Sequence, residues 1–272
     1  METGQPSRTA LAVAAARAEH QTLDDPRIFT DPFASRIIGD GAPAGEFDGG
    51  DPEVARVRRL VIAARSRFAD DRVAAAIARG TRQVVILGAG LDTSAYRNPH
   101  PEVRYFEVDH PDTQSWKRNR LREAGIEPPP ALTFAPVDFE RSTLAAGLAA
   151  AGLDRTAEAI FVWLGVVVYL TRGSIDDTIG YIAGQRADLV FDYPAPPAPE
   201  TATEQRARAD RVAAAGEPWL SYFTADEART LLQGSGFALL EDRAAGDVLV
   251  EYGTRTMHPI GSGIRMVPAA TR

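Results

Sequence analysis

Val84-Val85-Ile86-Leu87-Gly88-Ala89-Gly90-Leu91-Asp92-Thr93 runs four apolar residues straight into Gly-Ala-Gly. The pattern predicts a buried parallel strand that stops in a tight glycine turn. In open α/β sheets such a turn hands the first strand over to its helix, and a nucleotide-like ligand lies across it. A Cβ at either glycine would keep the backbone away from that ligand. The dinucleotide fingerprint needs a third glycine three residues after the second, and this chain has Thr93 there. NAD and FAD are therefore disfavoured. A ligand without a pyrophosphate, such as S-adenosylmethionine, fits better. The competing reading of Gly88, Ala89 and Gly90 is a structural turn with no ligand.

A second half-site follows. Val103 to Asp109 alternates and ends in acid, as a second parallel strand would. Asp109 lies about 20 residues beyond the glycines, where a carboxylate reaches a ribose diol. Glu107 and Asp109 differ by two and share a strand face. Asp109, nearer the C-terminal end, is assigned to the ribose. The alternative for either acid is a solvating group at a strand end.

The chain has 272 residues, 44% of them hydrophobic and 25% charged, ordinary for a soluble globular protein and enough for one large α/β domain with additions. A net charge of −7 argues against a general nucleic-acid binder. Lys117 is the only lysine, which is read as composition bias. No cysteine is present, so disulfides, thiolate metal sites and a cysteine nucleophile are excluded. No stretch reaches membrane-spanning length. Leu11 to Ala16 is read as part of an amphipathic helix rather than a signal peptide, with the cytoplasm as the default compartment.

The first 65 or so residues are helical in pattern. Ser7 or Thr9 caps a helix to about His20, Asp31-Pro32-Phe33 opens a short one, and Glu53 to Arg79 forms a long one ended by Gly80. Residues 39–51 read as a loop. Strands are expected at 82–87, 103–108, 131–136, 159–165 and 188–193, with helices near 93–98, 112–124, 142–151 and 172–184 between them. The alternation implies a doubly wound, mostly parallel sheet. Residues 195–225, with a polar helix at about 200–215, read as a lid insertion. Thr224 opens a further helix by a capping box. Strands at 237–243, 247–253 and 264–268 complete the sheet. The simplest division is one domain over 1–272, with a helical cap (1–65), a ligand-binding core (66–194), the lid (195–225) and a C-terminal completion of the sheet (226–272).

Further site candidates follow from this layout. Asp138 and Phe139 close the third strand beside the adenine, though Asp138 also reads as a helix-leading residue. Tyr169, after the fourth strand, borders the substrate or joins the core. Arg65 and Arg67 sit on the helix that leads into the first strand, and at most one of them meets a ligand carboxylate, since spacing by two puts them on different faces. Arg17 is a second candidate for that role. His110 borders the adenosine. The four histidines show no metal-ligand spacing, and no Gly-x-Ser-x-Gly elbow exists. No metal and no hydrolase chemistry are expected.

Taken together, these residues resemble the leucine carboxyl methyltransferase family, more closely its bacterial small-molecule branch. The matching pieces include Ser7-Arg8-Thr9-Ala10, Asp31-Pro32-Phe33, Arg65-Ser66-Arg67-Phe68 and Gln83 to Arg97. They continue through Phe106 to Pro111, Tyr169-Leu170-Thr171, Phe191-Asp192-Tyr193 and Gly216-Glu217-Pro218-Trp219. The resemblance implies a Rossmann-like class I methyltransferase fold with S-adenosyl-L-methionine as cofactor. It assigns the cofactor's carboxylate to Arg65, its glycine loop to Gly88–Gly90, its ribose to Asp109 and its adenine to Asp138 and Phe139. It implies O-methylation of a small-molecule acceptor, a carboxylate or phenol of a secondary metabolite such as a polyketide, without nucleic-acid or membrane partners, and admits a homodimer. Acceptor contacts are expected from Arg17, Tyr169, Tyr193, Trp219 and Tyr222. Two departures stand out. Family members usually have Glu at the position of Leu164, near the methionine end of the cofactor, and commonly Arg at that of Ser94. Loss of the Glu motivates an alternative, a methyltransferase-like protein that uses the cavity for cyclisation or isomerisation without methyl transfer. A third reading is a module that modifies a protein's C-terminal carboxylate, as the family's eukaryotic members do.

Overall fold

The computed structural model describes residues 7–39, 50–138, 142–239, 241–254 and 263–271. Helices α1 (Arg8–Leu23), α2 (Ala34–Ile38) and α3 (Pro52–Arg79) precede the sheet. Ser7 caps α1 by accepting from Ala10 N, and Asp51 caps α3. Gly80 ends α3 in the left-handed region, as its place after Arg79 predicted.

Strands β1 (Gln83–Leu87), β2 (Arg104–Asp109), β3 (Leu132–Pro136), β4 (Ala159–Trp163) and β5 (Ala187–Pro194) pair in parallel in the order β3-β2-β1-β4-β5. Helices α4 (Pro111–Glu123), α5 (Leu144–Ala150) and α6 (Arg172–Ala183) connect them. The segment after β5 carries α7 (Ala202–Ala214), and α8 (Ala225–Gly234) begins with the expected capping box of Thr224 and Glu227. Strands β6 (Phe237–Leu239) and β7 (Arg243–Ala244), helix α9 (Ala245–Glu251) and β8 (Ile264–Thr271) complete the described chain.

Period-two burial distributes the strands' side chains over two cores. Val85, Leu87, Phe161, Phe191 and Tyr193 pack with α5, α6 and α8. Val84, Ile86, Val162 and Val190 face α3 and α9.

Three expectations are corrected. Residues 247–253 are not a strand. Ala245, Val248 and Leu249 are buried at helical spacing and pack toward α3, while Val250 is exposed. The strand expected at 237–243 is two short pieces, because β6 and β7 pair with opposite ends of the same edge of β8. β8 itself lies inside the sheet, antiparallel to β5. The helix expected at 93–98 is a single 3-10 turn, Ser94–Arg97. Pro99 and Pro101 stop it, so the glycine turn is not followed by a helix whose dipole could serve a ligand.

Candidate active site

A cavity of about 500 Å³ opens at the C-terminal ends of β1, β4 and β5, where the strand order reverses. This switch point is where open α/β sheets bind ligands, and the volume lies within the roughly 300–1,000 Å³ of small-molecule sites. Residues of α1, α3, α7 and the 216–219 segment roof it.

The floor is the glycine turn. Gly88 has φ +65°, and a Cβ there would lie 2.3 Å from Val166 Cγ2. Gly90 has φ +46°, and a Cβ would meet Ala10 of the roof at 3.3 Å. Both positions therefore require glycine for conformation and for the close approach of neighbouring chain. Gly90 N donates to Asp109 Oδ2 at 2.5 Å, and His110 N donates to Oδ1 at 2.7 Å. Burial pushes the Asp109 carboxyl above its ordinary value, against these two amides and Lys117.

At the other end of the cavity Arg65 Nη1 donates to Asp192 Oδ2 at 2.9 Å. Gly165 N donates to Asp192 Oδ1 at 2.6 Å. Both side chains are largely buried, and both line the cavity beside Leu164. A cation and an anion are thus held side by side at the wall. Arg67 points elsewhere, to Asp71, the Ile28 carbonyl and the Tyr252 ring.

The remaining candidates divide. Arg17, Tyr169 and Trp219 line the cavity. Arg17 is engaged by the protein, donating to the Leu91 carbonyl at 2.5 Å and pairing with Asp31 at 3.3 Å. Burial raises the Tyr169 hydroxyl above its ordinary value. Tyr193 borders the cavity, but its ring stacks on Phe191 in the core and its hydroxyl donates to Asp242 at 2.7 Å. Asp192 faces the cavity, so its neighbour on the strand faces the opposite core. Tyr222 is not among the lining residues and sets its ring edge-on to Trp219. His110 lies outside the lining and caps α4, its ring accepting from Asp112 N. The Asp138 carbonyl accepts from Ser142 N at 2.7 Å, α5 is capped by Thr143, and Asp138 too is absent from the lining. Phe139 and His258 lie outside the described residues.

Besides Asp192, the sequence reading does not single out Arg58, Arg208 or Glu217 as wall residues. Arg58 sits seven residues before Arg65 on α3, the same face two turns away, about 10 Å along the axis. That spacing was the available signal. Arg208 of α7 lies over the Trp219 ring at 5.6 Å. Glu217 accepts from Ser7 Oγ at 2.9 Å, from Arg8 N at 2.8 Å and from Thr9 Oγ1, which fastens the 216–219 segment to the start of α1. Among the described residues no acidic or histidine cluster could hold a metal, and no helix is long and apolar enough to cross a membrane.

The sheet order and the cavity at its switch point define a Rossmann-like class I methyltransferase fold. A duf574 family protein from Streptomyces avermitilis shares it, with TM-score 0.61, 16% identity and coverage of 95% of this chain and 97% of that one. Magnesium protoporphyrin IX methyltransferase from Synechocystis, solved with bound SAH, is a further neighbour, with TM-score 0.51, 15% identity and coverage of 87% and 91%. At the level of sequence, the profile of "Leucine carboxyl methyltransferase" matches residues 10–183, more than half of the chain. A Bacillus subtilis protein named "Putative S-adenosyl-L-methionine-dependent methyltransferase YktD" is 32% identical, over 91% of both chains. A Saccharopolyspora erythraea protein of the same description is 32% identical over 93% of this chain and 85% of its own. The chain belongs to the leucine carboxyl methyltransferase family.

Proposed function

We propose that this protein is an S-adenosylmethionine-dependent methyltransferase that methylates a carboxylate oxygen of a small-molecule acceptor. One observation carries the cofactor half of the reading, the Arg65–Asp192 pair in the cavity wall. The methionine end of the cofactor is a zwitterion. A fixed cation beside a fixed anion is its electrostatic complement, Arg65 for the carboxylate and Asp192 for the ammonium. Asp192 supplies a buried negative group next to Leu164, so the missing Glu does not leave the ammonium without a partner. The glycine turn and Asp109 suit the ribose at the opposite end.

When bound, the cofactor supplies an activated methyl on a sulfonium. The protein's own contribution is to hold the acceptor oxygen in line with it, and such orientation is worth about 7–11 kcal/mol in favourable cases. The lining supports a carboxylate as that oxygen. A phenol, with pKa near about 10, would need a base. No histidine lies among the lining residues, and each of the four lining carboxylates is engaged by the protein, Asp92 by Ser94, Asp109 by the Gly90 and His110 amides, Asp192 by Arg65, and Glu217 by the start of α1. A carboxylate is already ionised at neutral pH, and Arg58 and Arg208 give the roof side of the cavity positive charge to receive it. Methylation would remove the acceptor's charge and weaken that attraction, which favours release of the ester.

The test is methyl transfer from methyl-¹³C-labelled S-adenosylmethionine to matched panels of small carboxylates, phenols and alcohols. Labelled methyl esters with stoichiometric S-adenosylhomocysteine support the reading. Labelled aryl ethers alone would replace the carboxylate with a phenol, and cofactor binding with no product from any panel would favour the non-transferring alternative.

A further inference from the structure

Lys117 is the only lysine among the 30 basic residues of the chain. It is also one of the most deeply buried, with its side chain 1% exposed. From α4 its Nζ donates to Glu107 Oε2 at 2.6 Å and to the Asp92 backbone carbonyl at 2.7 Å. The Tyr96 ring stands 5.7 Å away. Three residues earlier on α4, Gln114 Nε2 donates to the Glu107 carbonyl at 2.8 Å, so one helix grips both the side chain and the main chain of Glu107.

Stability does not explain this pair. Glu107 is fully buried, and its second carboxylate oxygen has no hydrogen-bond partner among the described residues. A buried ion pair with an unsatisfied oxygen is on balance no more stable than apolar residues of the same volume. The geometry does suggest a use. Glu107 lies two residues before Asp109 on the same strand face, and Asp92 lies two residues after Gly90. The link Glu107–Lys117–Asp92 therefore joins the same two segments as the Asp109–Gly90 bond and braces it. It joins the strand that presents the acid to the exit of the turn that presents the glycines. The ammonium suits this place because it is compact and its three donors rotate freely. The planar fork of arginine, which the chain uses at every other basic position, does not converge in this way.

We propose that Lys117 is a positioning residue for cofactor binding, holding the glycine turn and Asp109 at the separation that the cofactor's ribose requires. The proposal rests on the methyltransferase reading above. Three variants test it by calorimetric titration with S-adenosylhomocysteine and with 5′-methylthioadenosine, which lacks the amino-acid end. Lys117→Met is expected to raise Kd for both ligands tenfold or more. Glu107→Leu/Lys117→Met is expected to regain folding stability, since the unpaired charge is gone, yet to keep the weakened affinity, because the Asp92 carbonyl is still unheld. Leu232→Ala, in the core on the far face of the sheet, is expected to lose stability without changing either Kd. Where Lys117→Met does not fold, the double variant and Lys117→Arg carry the same comparison. A double variant that binds both ligands as the wild type does would reduce Lys117 to a structural residue and overturn the proposal. Wild-type protein that binds neither ligand would instead overturn the methyltransferase reading, and this proposal with it.

Discussion

Asp109 supports the most informative substitution, because its carboxylate has two separable roles. It accepts from Gly90 N at 2.5 Å and from His110 N at 2.7 Å, and it faces the cavity. Asp109→Ala leaves two half-buried amides without their acceptor. A buried donor left unpaired costs about 1–3 kcal/mol, and these two keep some access to water, so the loss of folding stability is about 2 kcal/mol. A bond between a charged acceptor and the ribose is worth about 1.5–3 kcal/mol, so Kd for S-adenosylhomocysteine should rise about 10- to 150-fold. Asp109→Asn separates the roles. Its single acceptor oxygen keeps one amide bond, so it should lose about half as much stability while still losing the charge. Burial holds the Asp109 carboxyl above its ordinary value, so it takes up a proton at a higher pH than an exposed aspartate. Wild-type affinity should therefore weaken on acidification through that raised pKa, and Asp109→Asn should show a flatter profile. The assays are calorimetric titration at several pH values and thermal unfolding with and without ligand. A folded Asp109→Ala that binds S-adenosylhomocysteine within twofold of wild type would refute the assignment.

Other substitutions test the remaining parts. Asp192→Asn and Arg65→Gln should weaken S-adenosylhomocysteine at least tenfold and leave 5′-methylthioadenosine unchanged in the same titration, since only the first ligand carries the zwitterion. Gly88→Ala combines a left-handed φ with a Cβ 2.3 Å from Val166 Cγ2, so it should cost about 2–4 kcal/mol in denaturant unfolding, with partial recovery in Gly88→Ala/Val166→Ala. Burial pushes the Glu107 carboxyl from 4.5 up to about 7 in spite of Lys117. A raised folded-state pKa contributes stability below pH 4.5 that is lost as pH rises through 7, by up to about 3 kcal/mol. Glu107→Gln should flatten this slope in unfolding experiments between pH 5 and 8. Arg58→Gln should raise KM for a carboxylate acceptor in steady-state kinetics and leave Kd for S-adenosylhomocysteine unchanged.

The parts of the molecule legible in the sequence were those set by local chain. The run into Gly88-Ala89-Gly90 specifies a strand and a turn through sterics alone, and the alternation ending at Asp109 specifies the neighbouring strand. Asp192 and Tyr193 cannot face the same side of β5, so an Asp192 that meets Arg65 puts Tyr193 in the opposite core. The α9 segment reads as a strand because Val248-Leu249-Val250 is β-rich, and only its packing toward α3 selects the helix. Residues joined across long separations were not legible. The Arg65–Asp192 pair spans 127 positions, and the bonds from Glu217 to Ser7 and Thr9 span 210 and 208. Lys117 reads as composition bias in the sequence, and only its two acceptors, the Glu107 carboxylate and the Asp92 carbonyl, give it a role.

The central claim is that the cavity at the switch point binds S-adenosylmethionine through the Arg65–Asp192 pair at one end and the braced glycine turn at the other. Calorimetric titration of the wild-type protein with S-adenosylmethionine, S-adenosylhomocysteine and 5′-methylthioadenosine tests it most directly. The account predicts saturable one-to-one binding of all three, with the two zwitterionic ligands bound at least tenfold more tightly than 5′-methylthioadenosine. Absence of binding, or equal affinity for all three, would contradict it.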